Sequence, residues 1–119
     1  MEHVRLGRTG LRVSRLCLGT MTFGLQCDEP TSFAIMGRAA DAGITFIDTA
    51  DVYPMGGALS NVGRTEEIVG RWLKGKRSDF LLASKGGHPM GPQPWQRGNS
   101  RKHLIEAVEG SLRRLQTDY

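Results

Sequence analysis

Apolar and polar residues alternate from Val4 to Ser14 on both sides of a Gly-containing turn. This predicts an antiparallel hairpin with Val4, Leu6, Leu11 and Val13 on one face. The run Leu16-Cys17-Leu18-Gly19 then reads as a short strand buried on both faces, and Met21 to Gly24 as a loop. Asp28-Glu29-Pro30 offers a side-chain acceptor before a proline suited to a first helical turn. Phe33, Met36, Ala39, Ala40 and Ala42 continue it as a helical stripe, which Gly43 ends. A second buried strand covers Thr45 to Asp48. The loop from Tyr53 to Gly63 carries Pro54, Gly56, Gly57 and Gly63 and is expected to be exposed and mobile.

The second helix has acids in its first turn at Glu66 and Glu67, and basic residues near its end at Arg71, Lys74 and Lys76. Its apolar face is Ile68, Val69, Trp72 and Leu73, with Trp72 in the core. Phe80 to Lys85 is the third strand, and residues 86 to 99 fit neither period and form a long loop. Ser100 caps a third helix whose Leu104, Val108, Leu112 and Leu115 recur at helical spacing.

Strand followed by helix, three times over, predicts a parallel sheet with helices packed against it. The intervals sharpen this. Gly19 to Asp48 is 29 residues and Asp48 to Lys85 is 37, near the roughly 31 per unit expected when about 250 residues are shared over eight units of a barrel. Gly19, Asp48 and Lys85 therefore mark the same end of successive strands, the carboxyl end, where such folds carry their chemistry.

Composition narrows the class. The 119 residues are 39% hydrophobic and 24% charged, as in an ordinary globular domain or part of one. The net charge of +4 is spread along the chain, without the basic stripe and interleaved aromatics of a nucleic-acid binder. No apolar run approaches the roughly 20 residues of a membrane span, and the first residues lack the layout of a secretory leader, so the expected location is the cytoplasm. Cys17 and Cys27 are too few for a zinc cluster and point to no metal site. Cys17, inside an apolar run, is expected to act as a small hydrophobe, and no neighbour marks Cys27 as reactive.

The chemistry gathers at Asp48, Tyr53 and Lys85. Neighbouring strands lie about 4.8 Å apart, so Asp48 and Lys85 can meet as an ion pair, with Tyr53 on the loop above. A phenol is a weak acid at neutral pH, but a nearby ammonium favours the phenolate. Lys85 can thus make Tyr53 a general acid while Asp48 holds the lysine charged and oriented. That set suits protonation of a carbonyl oxygen as hydride reaches its carbon. Singly, Asp48 would read as a cap, Tyr53 as a loop aromatic and Lys85 as a surface lysine. Trp95, beside Met90, Pro92 and Pro94, is either a wall of a substrate pocket or an aromatic packed on its own loop. His88 is a loop histidine near the catalytic end, and His103 and His3 are not candidates for the chemistry.

Leu18-Gly19-Thr20-Met21-Thr22-Phe23-Gly24, Phe46-Ile47-Asp48-Thr49-Ala50-Asp51-Val52-Tyr53, Thr65-Glu66-Glu67-Ile68-Val69-Gly70 and Ala83-Ser84-Lys85-Gly86-Gly87 together resemble the amino-terminal half of the aldo-keto reductases. The resemblance covers nearly the whole chain in the family's order. It implies part of a TIM (β/α)8 barrel, about three βα units, preceded by an N-terminal hairpin that closes the base. It also implies reduction of aldehydes or ketones with NADPH. Asp48, Tyr53 and Lys85 match three members of the family's Asp, Tyr, Lys and His tetrad by motif. Gly19, Thr20 and Met21, with Asp48, fall where the family holds the nicotinamide side of the cofactor. No Gly-x-Gly-x-x-Gly suggests a Rossmann site instead.

The family's His follows a fourth strand, and Leu115 to Tyr119 resembles the approach to it. The expectation is thus an amino-terminal fragment, residues 1 to 119, of one barrel domain, incomplete for catalysis alone. Three strands leave two sheet edges unpaired and an inward face of Leu16, Leu18, Phe46 and Leu82, or their alternates, in water. Self-association or a complementing chain is the expected remedy, besides a small carbonyl substrate as ligand. The alternative is a non-catalytic remnant or a cofactor- or partner-binding module of the same fold.

Overall fold

The computed structural model describes residues 1–119. The expected hairpin forms from β1 (His3–Arg5) and β2 (Arg12–Ser14), paired antiparallel with Val4 opposite Val13. Three further strands, β3 (Cys17–Gly19), β4 (Phe46–Asp48) and β5 (Leu81–Ala83), make a parallel sheet in the order β3-β4-β5. Helices α1 (Glu29–Asp41), α2 (Arg64–Leu73) and α3 (Arg101–Leu115) follow the three strands in turn. A 3-10 turn at Leu59–Asn61 lies within the loop that follows Tyr53.

The helix starts obey their sequence signals. Asp28 accepts from the Thr31 N–H at 2.9 Å, and the Ser100 hydroxyl accepts from the His103 N–H at 3.2 Å. Gly43 takes the left-handed conformation just past α1, at φ 79°.

Strand register decides which residues meet helices. Consecutive side chains on a strand point to opposite faces, and Leu18, Ile47 and Leu82 stand in one row across the sheet. That row packs on a core of Met36, Ile68, Val69, Trp72, Leu73 and Phe80, among others. Trp72 meets Phe80 edge to face, with centroids 5.0 Å apart. The alternate rows, Cys17-Phe46-Leu81 and Gly19-Asp48-Ala83, lie on the opposite face.

Two expectations are corrected here. The first strand is not buried on both faces: Cys17 is exposed and Leu18 only half-buried, and Leu16 is 56% exposed. It is an edge strand covered by helices on one side, so an apolar run did not mean two-sided burial. The open face carries Phe46 as expected, but with Cys17 and Leu81 beside it, because Leu18 and Leu82 stand in the row that faces the helices. Both cysteines are free.

The hairpin is tied to the sheet by Ser14, which is 1% exposed. Its hydroxyl accepts from the Thr45 and Phe46 N–H groups at 3.1 and 3.2 Å and donates to the Leu16 carbonyl at 2.7 Å. The hairpin therefore sits at the amino end of β4, at the base of the sheet. Leu6 and Leu11 extend beyond the paired strands and remain exposed.

The third helix packs differently from its apolar pattern. Leu104 and Val108 are exposed, whereas His103, Ala107, Gly110, Ser111 and Leu115 are buried. Small residues win this face because α2 and α3 approach very closely. A Cβ added to Gly70 would lie 2.5 Å from the Arg114 carbonyl oxygen, a backbone atom that cannot step aside. Gly70→Ala is therefore expected to destabilise the fold by about 1–3 kcal/mol, although alanine is the better helix former. Equilibrium urea denaturation of the two forms measures it.

Candidate active site

Register brings the site together. Asp48 ends β4 on the open face, between Gly19 of β3 and Ala83 of β5. Lys85 lies two residues beyond Ala83, so strand alternation returns its side chain to the same face. Its Nζ donates to Asp48 Oδ1 and to the Thr49 carbonyl, each at 2.6 Å. Burial alone would lower the Lys85 pKa. The hydrogen bond and charge of Asp48, aided by Tyr53, outweigh it and hold the ammonium above its ordinary 10.5. The stability this pair contributes is thus present below pH 10.5 and is lost only as the pH rises through the elevated value.

Tyr53 stands beside that ammonium, with Lys85 Nζ 5.0 Å from its ring centroid. Its backbone is anchored at both ends. The Tyr53 N–H donates to the Ala50 carbonyl at 3.2 Å, and the Tyr53 carbonyl accepts from the Gly63 and Thr65 N–H groups at 3.1 and 3.3 Å. The start of α2 therefore clamps the loop that carries the phenol. Thr65 is itself fixed, its hydroxyl donating to the Phe23 carbonyl at 2.7 Å.

The first-strand residues divide by environment. Gly19 opens space beside Asp48, since a Cβ added there meets nothing within 4 Å. Met21 is exposed. Thr20 is fully buried, and both its N–H and its hydroxyl donate to the Asp48 carbonyl, at 3.1 and 2.9 Å. Its side chain is occupied in holding Asp48. Cys17 shares the open face with Asp48. Partial burial first, and the Asp48 carboxylate second, push its thiol above 9.0 against the pull of Lys85, so it is no thiolate nucleophile at neutral pH.

A cleft of about 240 Å³ is lined by the sequence neighbours of Tyr53, including Val52, Pro54 and Met55, and by His88 and Pro89 from the long loop, but not by Asp48, Tyr53 or Lys85 themselves. His88 is exposed there. Trp95, the aromatic singled out for a pocket wall, does not line it and is 53% exposed.

A buried polar group behind the site has no signal in the sequence. Glu66, read as a first-turn acid, is fully buried. It accepts from the Ser84 hydroxyl at 2.6 Å and from Arg114 Nε at 2.7 Å. Asp51 is 1% exposed with neither carboxyl oxygen bonded within the protein, and His103 is 3% exposed with Nε2 likewise unpaired. Burial foremost, then the Glu66 charge, raises the Asp51 pKa above 3.8 against the Val52 backbone N–H and the charges of Arg114 and His103. These interacting pairs lie 15 to 63 residues apart in sequence, and no local spacing links them.

Comparison with known proteins fits this geometry. A family model described as the aldo/keto reductase family matches residues 15–119. The chain is 49% identical over 127 aligned residues to the uncharacterized oxidoreductase YrpG of Bacillus subtilis (strain 168), with all of the chain and 38% of that protein aligned. It is 41% identical over 126 residues to protein tas of Escherichia coli (strain K12), covering 36% of it. Among solved structures, the holo form of aldo-keto reductase AKR11C1 from Bacillus halodurans superposes with a TM-score of 0.81 at 40% identity, over 100% of this chain and 38% of that one. The chain thus spans little more than a third of these relatives.

Proposed function

This chain belongs to the aldo/keto reductase family, and from that premise we propose that it is the amino-terminal part of a barrel reducing aldehydes or ketones to alcohols with NADPH. The observation that carries this reading is the Lys85 ammonium fixed at 2.6 Å from both Asp48 and the Thr49 carbonyl, with the Tyr53 ring beside it. Tyr53 donates the proton to the carbonyl oxygen. Lys85 stabilises the phenolate left behind, and Asp48 keeps Lys85 charged and in place.

The residues present suit the nicotinamide end of the cofactor. Space stands open in front of Gly19, next to Asp48, and a flat ring can approach the strand end there. Gly19, Met21 and Asp48 would hold that ring, and Thr20 would hold Asp48. NADPH, when bound, supplies the hydride.

No helix is long and apolar enough to cross a membrane. The outer edges of β3 and β5 are unpaired, and Leu104, Ile105 and Val108 are exposed on α3. Further strands and helices, from the same polypeptide or from a complementing copy, would cover them. Size-exclusion chromatography tests this: a monomer of this chain that unfolds cooperatively by itself would count against it.

The catalytic reading is tested by Lys85→Met in a form that turns over a carbonyl. The rate of reduction is expected to fall roughly 100-fold and its pH profile to be displaced, since the cation that stabilises the departing proton's phenolate is gone. Stopped-flow NADPH oxidation from pH 6 to 10 reads both. An unaltered profile would refute the role of Lys85, and NADPH binding without turnover of any carbonyl would favour a binding module.

A further inference from the structure

Ser84 immediately precedes Lys85, and strand alternation sends its side chain to the helix side of the sheet while Lys85 faces the open side. Its hydroxyl donates to Glu66 Oε1 at 2.6 Å. Glu66 is fully buried, and its other oxygen accepts from Arg114 Nε at 2.7 Å. One carboxylate thus ties the end of β5 to both α2 and α3.

A carboxylate is costly to bury, and a serine at a strand end is easily left to water. That the two meet calls for a reason. The main-chain bonds around Lys85 run within the sheet: the Thr49 N–H donates to the Ala83 carbonyl at 2.9 Å and the Asp51 N–H to the Lys85 carbonyl at 3.0 Å. They fix the strand end sideways. The Ser84–Glu66 bond runs out of the sheet toward the helices and fixes its height. We propose that Ser84 is a positioning residue for Lys85: its hydroxyl, bonded to the buried Glu66 carboxylate, holds the strand end at the height from which the lysine reaches Asp48 and the Thr49 carbonyl. The inference rests on the catalytic reading of Lys85 given above.

The lysine needs such a support. Its Nζ makes two bonds of 2.6 Å, to Asp48 Oδ1 and to the Thr49 carbonyl. The Lys85 and Asp48 side chains nevertheless keep 46% and 39% of their exposure. Water competes for both charges, and an exposed ion pair contributes only while its geometry is held. A strand end free to shift would exchange these bonds for bonds to water.

The test reads Lys85 itself. In the 119-residue chain, the Lys85 ε-carbon resonance is titrated by NMR in wild type, Ser84→Ala and Ser84→Thr. Neither substitution changes a charge. Asp48 from β4, Tyr53 from the loop after it and Cys17 from β3 are the titratable groups coupled to the lysine, and all three remain, so a displaced midpoint reports geometry. The expected result is a midpoint above 10.5 in the wild type, a lower one in Ser84→Ala, and recovery in Ser84→Thr, which keeps the hydroxyl. Should Ser84→Ala fail to fold, Ser84→Cys, whose thiol is a weak donor, replaces it with the same expectation. An unmoved midpoint in the variant without the hydroxyl overturns the proposal. An equal fall in Ser84→Thr overturns it too, since position 84 would then matter only for packing. In a form that turns over a carbonyl, Ser84→Ala is expected to lower kcat roughly 10-fold with NADPH affinity kept. A midpoint that moves while kcat does not would leave Ser84 as the support of Lys85 and count instead against the catalytic reading.

Discussion

Tyr53→Phe is expected to lower carbonyl reduction by about 10²–10⁴-fold, the usual contribution of a positioned general acid, with NADPH affinity changed by no more than about two-fold because the hydride donor is held elsewhere. The substitution removes one hydroxyl and little else. Phenylalanine keeps the ring that lies beside Lys85. The backbone of residue 53 remains fastened by its bonds to Ala50, Gly63 and Thr65. The lysine, still bonded to Asp48 and Thr49, stays in place. What is lost is the proton that must reach the carbonyl oxygen as hydride arrives. Turnover followed by NADPH absorbance, with affinity from cofactor fluorescence, separates the two effects. Wild-type turnover in the variant would remove Tyr53 from the chemistry.

The largest effect on stability is expected at Glu66. Glu66→Gln leaves the Arg114 guanidinium facing a neutral amide in a buried place, and breaking such a pair from one side costs about 3 kcal/mol or more. The lower end applies because the Arg114 side chain keeps 22% of its exposure, whereas Glu66 has none. For a chain of this length that corresponds to a fall in Tm of roughly 10 °C. The neighbouring exposed Glu67→Gln is the control, expected to stay within about 0.5 kcal/mol. Removing both partners, as Glu66→Gln with Arg114→Met, should cost less than the sum of the single changes, because no orphaned charge remains. Thermal melts followed by circular dichroism decide it. Equal, small losses for Glu66→Gln and Glu67→Gln would show that the buried pair is not what fastens α2 to α3.

Much of this arrangement was open to a reader of the sequence. The hairpin, the strand and helix order, the Asp28 and Ser100 caps, and the meeting of Asp48 with Lys85 all follow from local signals. Period-two and period-3.6 patterns, capping side chains and strand spacing act over a few residues, or over whole repeat units. Burial was less legible where it depended on what lies across a face. Leu104 and Val108 keep helical spacing yet face solvent, because Gly70 lets α2 and α3 meet along a different stripe. Leu16 and Cys17 are apolar yet exposed, because β3 stands at a sheet edge. His103, set aside in the sequence as a first-turn histidine, lies 3% exposed next to the charges around Asp51.

The sequence by itself determined the parallel strand–helix units, the family, and the three residues gathered at one end of the sheet. Those features are written in short motifs and in intervals that any fold of this type must keep. Tertiary structure alone decided the supports behind them. Thr20 spends its hydroxyl on the Asp48 backbone, and Glu66 joins Ser84 to Arg114. The physical reason is that each of these polar groups owes its role to desolvation by distant segments. A carboxylate at a helix start looks the same in sequence whether water or a guanidinium faces it, and only packing determines which.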